Sequence, residues 1–114
     1  MIQILFVDDE DVFARCVSNI LRMSGIEARL APSVGQALIR LNSRKPNALV
    51  TDWGLPDGTG ADVISLCRNR YPKVPALIQT ASPEQVTVSG VRVMVKPYQV
   101  DALVDWLRRS VPKP

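Results

Sequence analysis

The sequence contains no histidine, only two cysteines, and few aromatic residues, which make up 5% of its 114 residues. The absence of histidine excludes His-based zinc sites and His-dependent catalytic triads. Cys16 and Cys67 are far apart, and each lies among apolar residues at helical spacing. We therefore predict two buried, unpaired thiols rather than a disulfide or a metal site. Any histidine chemistry in the function of this protein must be supplied by a partner.

Long apolar runs and clustered charges are also missing. No run approaches the roughly 18 residues that a membrane span needs, and the apolar start MIQILFVDDE lacks the basic leader and cleavage site of a secretory signal. The net charge of +3 is spread along the chain without interleaved aromatic residues. These features predict a cytoplasmic protein that binds neither nucleic acid nor a membrane directly.

The composition is that of a folded domain, with 46% hydrophobic and 22% charged residues. At this length we expect one domain over residues 1–114. Apolar strands and amphipathic helices alternate along it, which predicts an α/β fold with a parallel sheet covered on both faces. The predicted strands are 2–7, 27–31, 47–51, 75–80 and 91–95, and the predicted helices are 11–24, 32–42, 59–70 and 99–110.

Helical spacing also predicts which side chains are buried. The first helix carries two apolar rows, and the later helices carry one stripe each, with Trp106 flanking the last stripe and expected to be half exposed. The residues predicted to face inward are Val12, Cys16 and Ile20 with Phe13, Val17 and Leu21 in the first helix, Val34, Ala37, Leu38 and Leu41 in the second, and Val63, Ile64 and Cys67 in the third.

Polar residues follow the carboxyl ends of four predicted strands. Asp8 and Asp9 follow the first strand, Asp52 the third, Thr80 ends the fourth and Lys96 follows the fifth. In an open parallel sheet these ends lie at one edge, where ligands bind. Glu10 and Asp11 come next to the first pair and are equally well explained as caps of the following helix.

Converging carboxylates repel one another, by roughly 1 kcal/mol per pair at about 4 Å in water. Oxygen ligands without histidine or nearby cysteine favour Mg²⁺ or Mn²⁺ over zinc. An ammonium, a hydroxyl and a divalent cation together can hold a phosphoryl group. Asp52 would then be the carboxylate that carries it as an acyl phosphate.

The motifs FVDDED, VTDWGLPDGTG, IQTAS and MVKPY occur in this order on five alternating units, and the chain resembles the receiver domains of two-component response regulators. The resemblance implies a flavodoxin-like three-layer sandwich with strand order 2-1-3-4-5. It also implies a partner, a sensor histidine kinase or a histidine phosphotransfer protein, that donates the phosphoryl group.

The resemblance assigns roles to individual residues. It makes Asp52 the phosphoacceptor, Thr80 the switch hydroxyl and Lys96 the phosphate-contacting lysine. Mg²⁺ would be held by the acidic pair and Asp52, with a backbone carbonyl as a further ligand. The remaining implied features are Asp8 and Asp9 as that pair, the carbonyl of Gly54, a cis peptide before Pro97, and space for the phosphoryl group beside Ala81.

Two departures from the family pattern concern the usual output face. Only 15 residues separate Thr80 from Lys96, so we predict a fourth helix that is shortened or missing. Val93 occupies the position where many members carry an aromatic switch residue, and valine cannot act as one.

Several functions remain open from sequence. The leading one is a regulatory phosphoacceptor, without enzyme activity beyond its own phosphorylation and dephosphorylation. A phosphate sink or relay needs the same site and little conformational output. A phosphohydrolase would want an acid at position 54, which is Gly54, and an unphosphorylated interaction module would not need the complete residue set. The final VPKP is typical of the beginning of a linker.

Overall fold

The strands and helices alternate as predicted in a computed structural model, which describes residues 1–112. The last two residues of the VPKP segment lie outside the described residues. The elements are β1 (Ile2–Val7), α1 (Asp11–Met23), β2 (Ile26–Ala31), α2 (Val34–Ser43), β3 (Ala48–Asp52), β4 (Gly54–Leu55), β5 (Gly58–Thr59), α3 (Gly60–Arg70), β6 (Ala76–Thr80), β7 (Arg92–Val95) and α4 (Val100–Ser110).

Five parallel strands form the central sheet, in the order β2-β1-β3-β6-β7. This is the predicted 2-1-3-4-5 order, since the short β4 and β5 only form a two-stranded hairpin between β3 and α3. Alternate residues of β1 face opposite layers, Ile4 and Phe6 toward α1 and α4, and Leu5 and Val7 toward α2 and α3. The flavodoxin-like sandwich predicted from sequence is confirmed.

The region of the fourth helix is reduced to one 3-10 turn over Pro83–Gln85. Extended and irregular backbone continues from there to β7, and the guanidinium of Arg68 donates to the carbonyls of Ser89 and Gly90 at 3.3 and 3.2 Å. Val86 and Val88, the β-branched valines after the turn, pack their side chains against the core instead of continuing the helix. The shortening predicted from sequence is therefore confirmed.

Burial on the helices corrects several predictions. In α1 the buried residues are Ala14, Val17, Ser18 and Leu21, whereas Cys16 is exposed. A helix touches a sheet along one stripe, so only one of the two apolar rows of α1 can face it. The other row, Val12, Cys16 and Ile20, faces solvent and is called the α1 apolar row below.

Two further burial predictions were wrong. Leu38 is 40% exposed, because α2 contacts the core through Ala37 and Leu41. Trp106 is 9% exposed and packs with Leu103 and Leu107 against the sheet, rather than being half exposed. Cys67 is buried as predicted, and both cysteines are free.

The loop after β3 is attached to the start of α2. The carboxylate of Asp57 accepts hydrogen bonds from the backbone N–H groups of Val34 and Gly35, at 2.8 and 3.0 Å. Ser33 also caps this helix, accepting from the N–H of Gln36 at 3.1 Å. Asp57 thus caps a helix from another part of the chain, and this fixes the loop that follows Asp52.

Among residues 1–112, none of the helices has the length and apolarity that crossing a membrane requires.

Candidate functional site

One pocket lies at the carboxyl edge of the sheet, where the predicted polar residues meet. Asp52 ends β3, Thr80 ends β6, and Lys96 directly follows β7. Among the residues that line this pocket are Asp9, Asp52, Gly54, Thr80, Ala81 and Lys96. Asp8 follows β1 and is buried beside it. The parallel strands therefore bring together residues that are up to 88 positions apart.

Lys96 is the centre of the charged contacts. Its Nζ atom donates to Asp8 Oδ2 at 2.8 Å, to Asp52 Oδ2 at 3.1 Å and to Glu10 Oε1 at 3.2 Å. The same ammonium lies 4.5 Å from the ring centroid of Phe13, in a cation–π contact. Backbone pairing fixes where the side chain starts, since the N–H of Lys96 donates to the carbonyl of Thr80.

The next peptide bond, between Lys96 and Pro97, is cis, as the family resemblance implies.

The carboxylate of Asp52 is mostly buried at the bottom of the pocket. Its Oδ1 accepts from the N–H of Trp53 at 2.9 Å, and its Oδ2 accepts from Lys96. Burial raises the pKa of Asp52; the Lys96 charge opposes this rise, and the Asp8 charge adds to it. Burial alone would lower the pKa of Lys96, but its hydrogen bonds and ion pairs with Asp8 and Asp52 together outweigh burial, and the net change is upward.

Three carboxylates converge closely enough to hold a cation. Oxygen atoms of Asp8, Glu10 and Asp52 lie within 4.8 Å of one another. These three carboxylates and the ammonium of Lys96 carry a net charge of −2 when all four groups are ionised. The metal ligands that the group offers are all oxygen atoms. This charge and this donor set fit Mg²⁺ or Mn²⁺.

The acidic residues after β1 differ from the prediction in their arrangement. Asp9 lines the pocket, but the third member of the converging group is Glu10. Glu10 stands at the N-cap position of α1 without a side-chain capping bond, and reaches Lys96 instead. Asp11 pairs with Arg15 at 2.6 Å on the surface of the helix. The sequence explained Glu10 and Asp11 equally well as helix caps. In the structure Glu10 belongs to the site, whereas Asp11 lies on the surface of the helix.

The other predicted residues occupy the pocket rim and its surroundings. Thr80 Oγ1 accepts from the N–H of Ser82 at 3.0 Å, with Ala81 between them at the rim. The carbonyl of Trp53 accepts from the N–H of Gly60 at 2.7 Å, and the Trp53 ring packs against the core layer of α2 and α3. Val93 lies on β7 opposite Ile78, partly buried.

Two residues that the sequence reasoning did not select, Gln79 and Tyr98, also belong to the hydrogen-bond network of the site. Gln79 is fully buried; its Nε2 donates to Asp8 Oδ2 at 2.8 Å, and its Oε1 accepts from the hydroxyl of Tyr98. Tyr98 packs edge-on against Phe13, with ring centroids 6.1 Å apart. The sequence does contain a signal for Gln79: its amide side chain stands directly before Thr80 in a buried parallel strand, where apolar residues are the norm.

Comparison with protein families gives a match over most of the chain. Residues 4–108 match the family model described as response regulator receiver domain. The probable transcriptional regulatory protein TcrX of Mycobacterium tuberculosis is 32% identical over 94% of the chain. The chemotaxis protein CheY of Pseudomonas aeruginosa is 31% identical, with 94% of both proteins covered.

The chain is shorter than most of these relatives. It spans 48% of TcrX and 24% of the response regulator protein FleR of Pseudomonas aeruginosa. The chemotaxis protein CheY, by contrast, is matched over nearly its whole length.

Solved structures agree in fold. A chemotaxis response regulator of Vibrio cholerae has a TM-score of 0.86 and 27% identity, with 97% of this chain and 99% of that chain covered. The response regulator protein TrrA of Thermotoga maritima, solved in complex with Mg(2+)-BeF, has a TM-score of 0.87, with 97% and 100% covered. The second pair is 22% identical, so that likeness concerns the fold.

Proposed function

The chain belongs to the response regulator receiver domain family, and we propose that it is a phosphoacceptor domain that receives a phosphoryl group on Asp52 from a histidine of a partner. The observation that supports this most directly is the position of the Asp52 carboxylate. It lies at the bottom of an open pocket, 3.1 Å from the ammonium of Lys96 and grouped with the carboxylates of Asp8 and Glu10.

The transfer is a displacement at phosphorus. One carboxylate oxygen of Asp52 forms a P–O bond while the P–N bond of the donor phosphohistidine breaks, and the electron pair leaves with the imidazole nitrogen. Water later attacks the same phosphorus and restores the carboxylate. Because the chain has no histidine, the donor imidazole belongs to a sensor histidine kinase or a histidine phosphotransfer protein.

The other residues of the pocket would bind the metal ion and the phosphoryl group. Asp8, Asp52 and the carbonyl of Gly54 would hold Mg²⁺ together with Asp9, which lines the same pocket, while Glu10 adds a third converging carboxylate. The ion would supply charge neutralisation of the phosphoryl oxygens when it is bound. Lys96 already contacts Asp52 and would follow the transferred group, exchanging a carboxylate partner for a phosphoryl oxygen.

The hydroxyl of Thr80 would donate a hydrogen bond to another phosphoryl oxygen. Ala81, a small residue at the rim, leaves room beside it. Thr80 and Ala81 both line the pocket, and this supports the proposed roles.

The docking surface for the donor is proposed to include the α1 apolar row. Val12 lies two residues after Glu10, so the row starts at the pocket and runs along α1. Val12 and Ile20 are 72% and 43% exposed. Burial of such side chains contributes roughly 25 cal/mol per Å² of apolar area to complex formation, and it would bring the donor histidine over Asp52.

A relay or phosphate-sink role is the second candidate, favoured by the reduced output face. The fourth helix is a single turn, and the position of the usual aromatic switch is Val93. Transfer chemistry needs neither feature. We propose residues 1–114 as one receiver domain in either case, and any activity of a longer protein containing it would follow from attached segments.

The test is the intact mass of the protein after incubation with acetyl phosphate, with and without Mg²⁺. We expect one phosphoryl adduct that requires Mg²⁺ and is absent in Asp52→Asn, a variant of nearly the same shape. Asp57→Asn, an acid in the same loop but outside the pocket, is the control and should still be labelled. Absence of the adduct in folded wild-type protein with Mg²⁺ would reject both candidates and favour an unphosphorylated interaction module.

A further inference from the structure

We infer that Gln79 and Tyr98 form a positioning pair that holds Asp8 in its metal-binding orientation independently of Lys96. This inference rests on the proposed function, in which Asp8 helps to hold Mg²⁺. It concerns two residues outside the pocket lining, neither of which would touch the metal or the phosphoryl group.

The first argument is the bonding of Asp8. Its side chain is fully buried, and its Oδ2 accepts from two donors, Lys96 Nζ and Gln79 Nε2, both at 2.8 Å. Its Oδ1 accepts from the N–H of Glu10 at 2.8 Å. A buried carboxylate is costly unless donors pair with its oxygens, so these three bonds hold the side chain in place.

The second argument is that Lys96, one of the two donors to Asp8 Oδ2, also contacts Asp52. In the proposed reaction Lys96 turns toward the phosphoryl group on Asp52, which weakens its contact with Asp8. Gln79 has no such alternative, because it is fully buried in the central strand β6. It therefore keeps a donor on Oδ2 throughout the reaction.

Tyr98 holds the Gln79 amide in the orientation that Asp8 requires, because the Asp8 carboxylate can only accept and the Tyr98 hydroxyl donates to the other end of the amide. A flipped amide would place Oε1 against the carboxylate and lose the bond. In the observed orientation the hydroxyl of Tyr98 donates to Oε1 while Nε2 donates to Asp8. Burial raises the pKa of Tyr98, so its hydroxyl remains a donor. The Tyr98 ring is itself held by Phe13.

The experiment is a Mg²⁺ titration of unphosphorylated protein, followed by the fluorescence of Trp53, which lines the pocket. Trp106 is buried in the core and is not among the residues that line the pocket, so we expect its fluorescence to give a constant background. The variants are Gln79→Leu, Tyr98→Phe and the double variant. Ile64→Val, a buried change in the opposite layer, is the control for loss of stability without loss of positioning, and thermal unfolding is recorded without Mg²⁺ for every variant.

We expect Gln79→Leu to weaken Mg²⁺ binding by about tenfold, which is typical of the loss of a group that orients a metal ligand. Tyr98→Phe, which removes one hydroxyl and is the least disruptive change, should weaken it several-fold. Because Tyr98 acts through Gln79, the double variant should bind no more weakly than Gln79→Leu alone. Ile64→Val should lower thermal stability and leave Mg²⁺ affinity unchanged.

Wild-type affinity in folded Tyr98→Phe would overturn the inference, as would additive effects in the double variant. Either result leaves the proposed function intact, because the acetyl phosphate reaction can still proceed on Asp52. If wild-type protein itself fails to bind Mg²⁺, the inference and the metal-dependent part of the proposed function fail together.

Discussion

The ammonium of Lys96 lies 2.8 Å from Oδ2 of Asp8, a carboxylate whose side chain is fully buried. Residues 88 positions apart in the chain therefore neutralise each other at the sheet edge. The same ammonium also contacts Asp52 and Glu10, so the stability of this edge and its affinity for cations are linked.

Lys96→Met should destabilise the protein in the absence of divalent cations. Removing the ammonium leaves converging carboxylates without their charged donor, and we expect a loss of about 1–3 kcal/mol in the free energy of unfolding. Added Mg²⁺ should stabilise the variant more than wild type, because no ammonium competes with it. Urea unfolding with and without Mg²⁺ measures both effects.

Arg109→Met is the control for Lys96→Met. It removes an exposed pair with Asp105 on α4, and such surface pairs contribute less than about 1 kcal/mol. Equal losses in the two variants would contradict the central position given to Lys96.

Asp57→Ala should lower stability in a pH-dependent way. Hydrogen bonds from Gly35 and Val34 lower the pKa of Asp57 below its usual value of 3.8. A depressed folded-state pKa means that the stabilisation is complete above 3.8 and is lost as the pH falls through the folded value. Unfolding midpoints of variant and wild type should thus differ at pH 7 and converge as the pH is lowered below 3.8. A difference that is the same at both ends of this range would contradict the capping role.

Gly60→Ala should be destabilising, because an added Cβ would lie 2.6 Å from the carbonyl oxygen of Asp52 and 3.3 Å from Thr51 Cγ2. Backbone atoms cannot yield easily, and overpacking of this kind costs about 1–3 kcal/mol. Gly54→Ala, in the segment between β3 and α3, is the matched control, since nothing lies within 4 Å of its added Cβ. Chemical unfolding should separate the two variants; a loss as large in Gly54→Ala would show that the loop is packed differently.

The two thiols should react at very different rates. Cys16 is exposed and Cys67 is buried, and burial raises the pKa of Cys67 to about 11, which leaves little of the reactive thiolate. Native protein treated with iodoacetamide should gain one adduct quickly. Cys16→Ser should abolish this fast adduct, and Cys67→Ser should retain it. Two fast adducts in native wild type would place Cys67 at the surface.

Ile20→Asp should reduce phosphorylation by a histidine-containing donor protein by about tenfold, the effect of losing roughly 1.4 kcal/mol of contact energy. The rate with acetyl phosphate should not change, because that small donor does not touch α1. Ile39→Asp places the same charge on exposed α2, on the other face of the sheet, and should leave both rates unchanged. Equal rates for Ile20→Asp and Ile39→Asp with the protein donor would remove the α1 apolar row from the proposed interface.

Sequence reasoning predicted the architecture because its signals are local. Apolar runs mark the strands, helical spacing marks the helices, and the regular alternation leads to a parallel sheet with one ligand-binding edge. Asp52, Thr80 and Lys96 could be selected in the same way, since each stands at a strand end. The shortened fourth helix followed from the count of residues available for it.

Local sequence patterns could not predict burial or contacts where two sets of residues fit the same pattern. Both apolar rows of α1 have helical spacing, and only packing against the sheet decides that Val17 is buried and Cys16 is exposed. Glu10 and Asp9 are neighbours of the same charge, and the direction in which α1 starts decides that Glu10 reaches Lys96.

The sequence by itself therefore determined the order of the elements and the polar residues at the sheet edge. Only the tertiary structure decided the partners of those residues. Gln79 contacts Asp8 across 71 positions, and Asp57 caps α2 across 23. Hydrogen bonds of this kind depend on distances set when the strands assemble, and no pattern within a single segment encodes them.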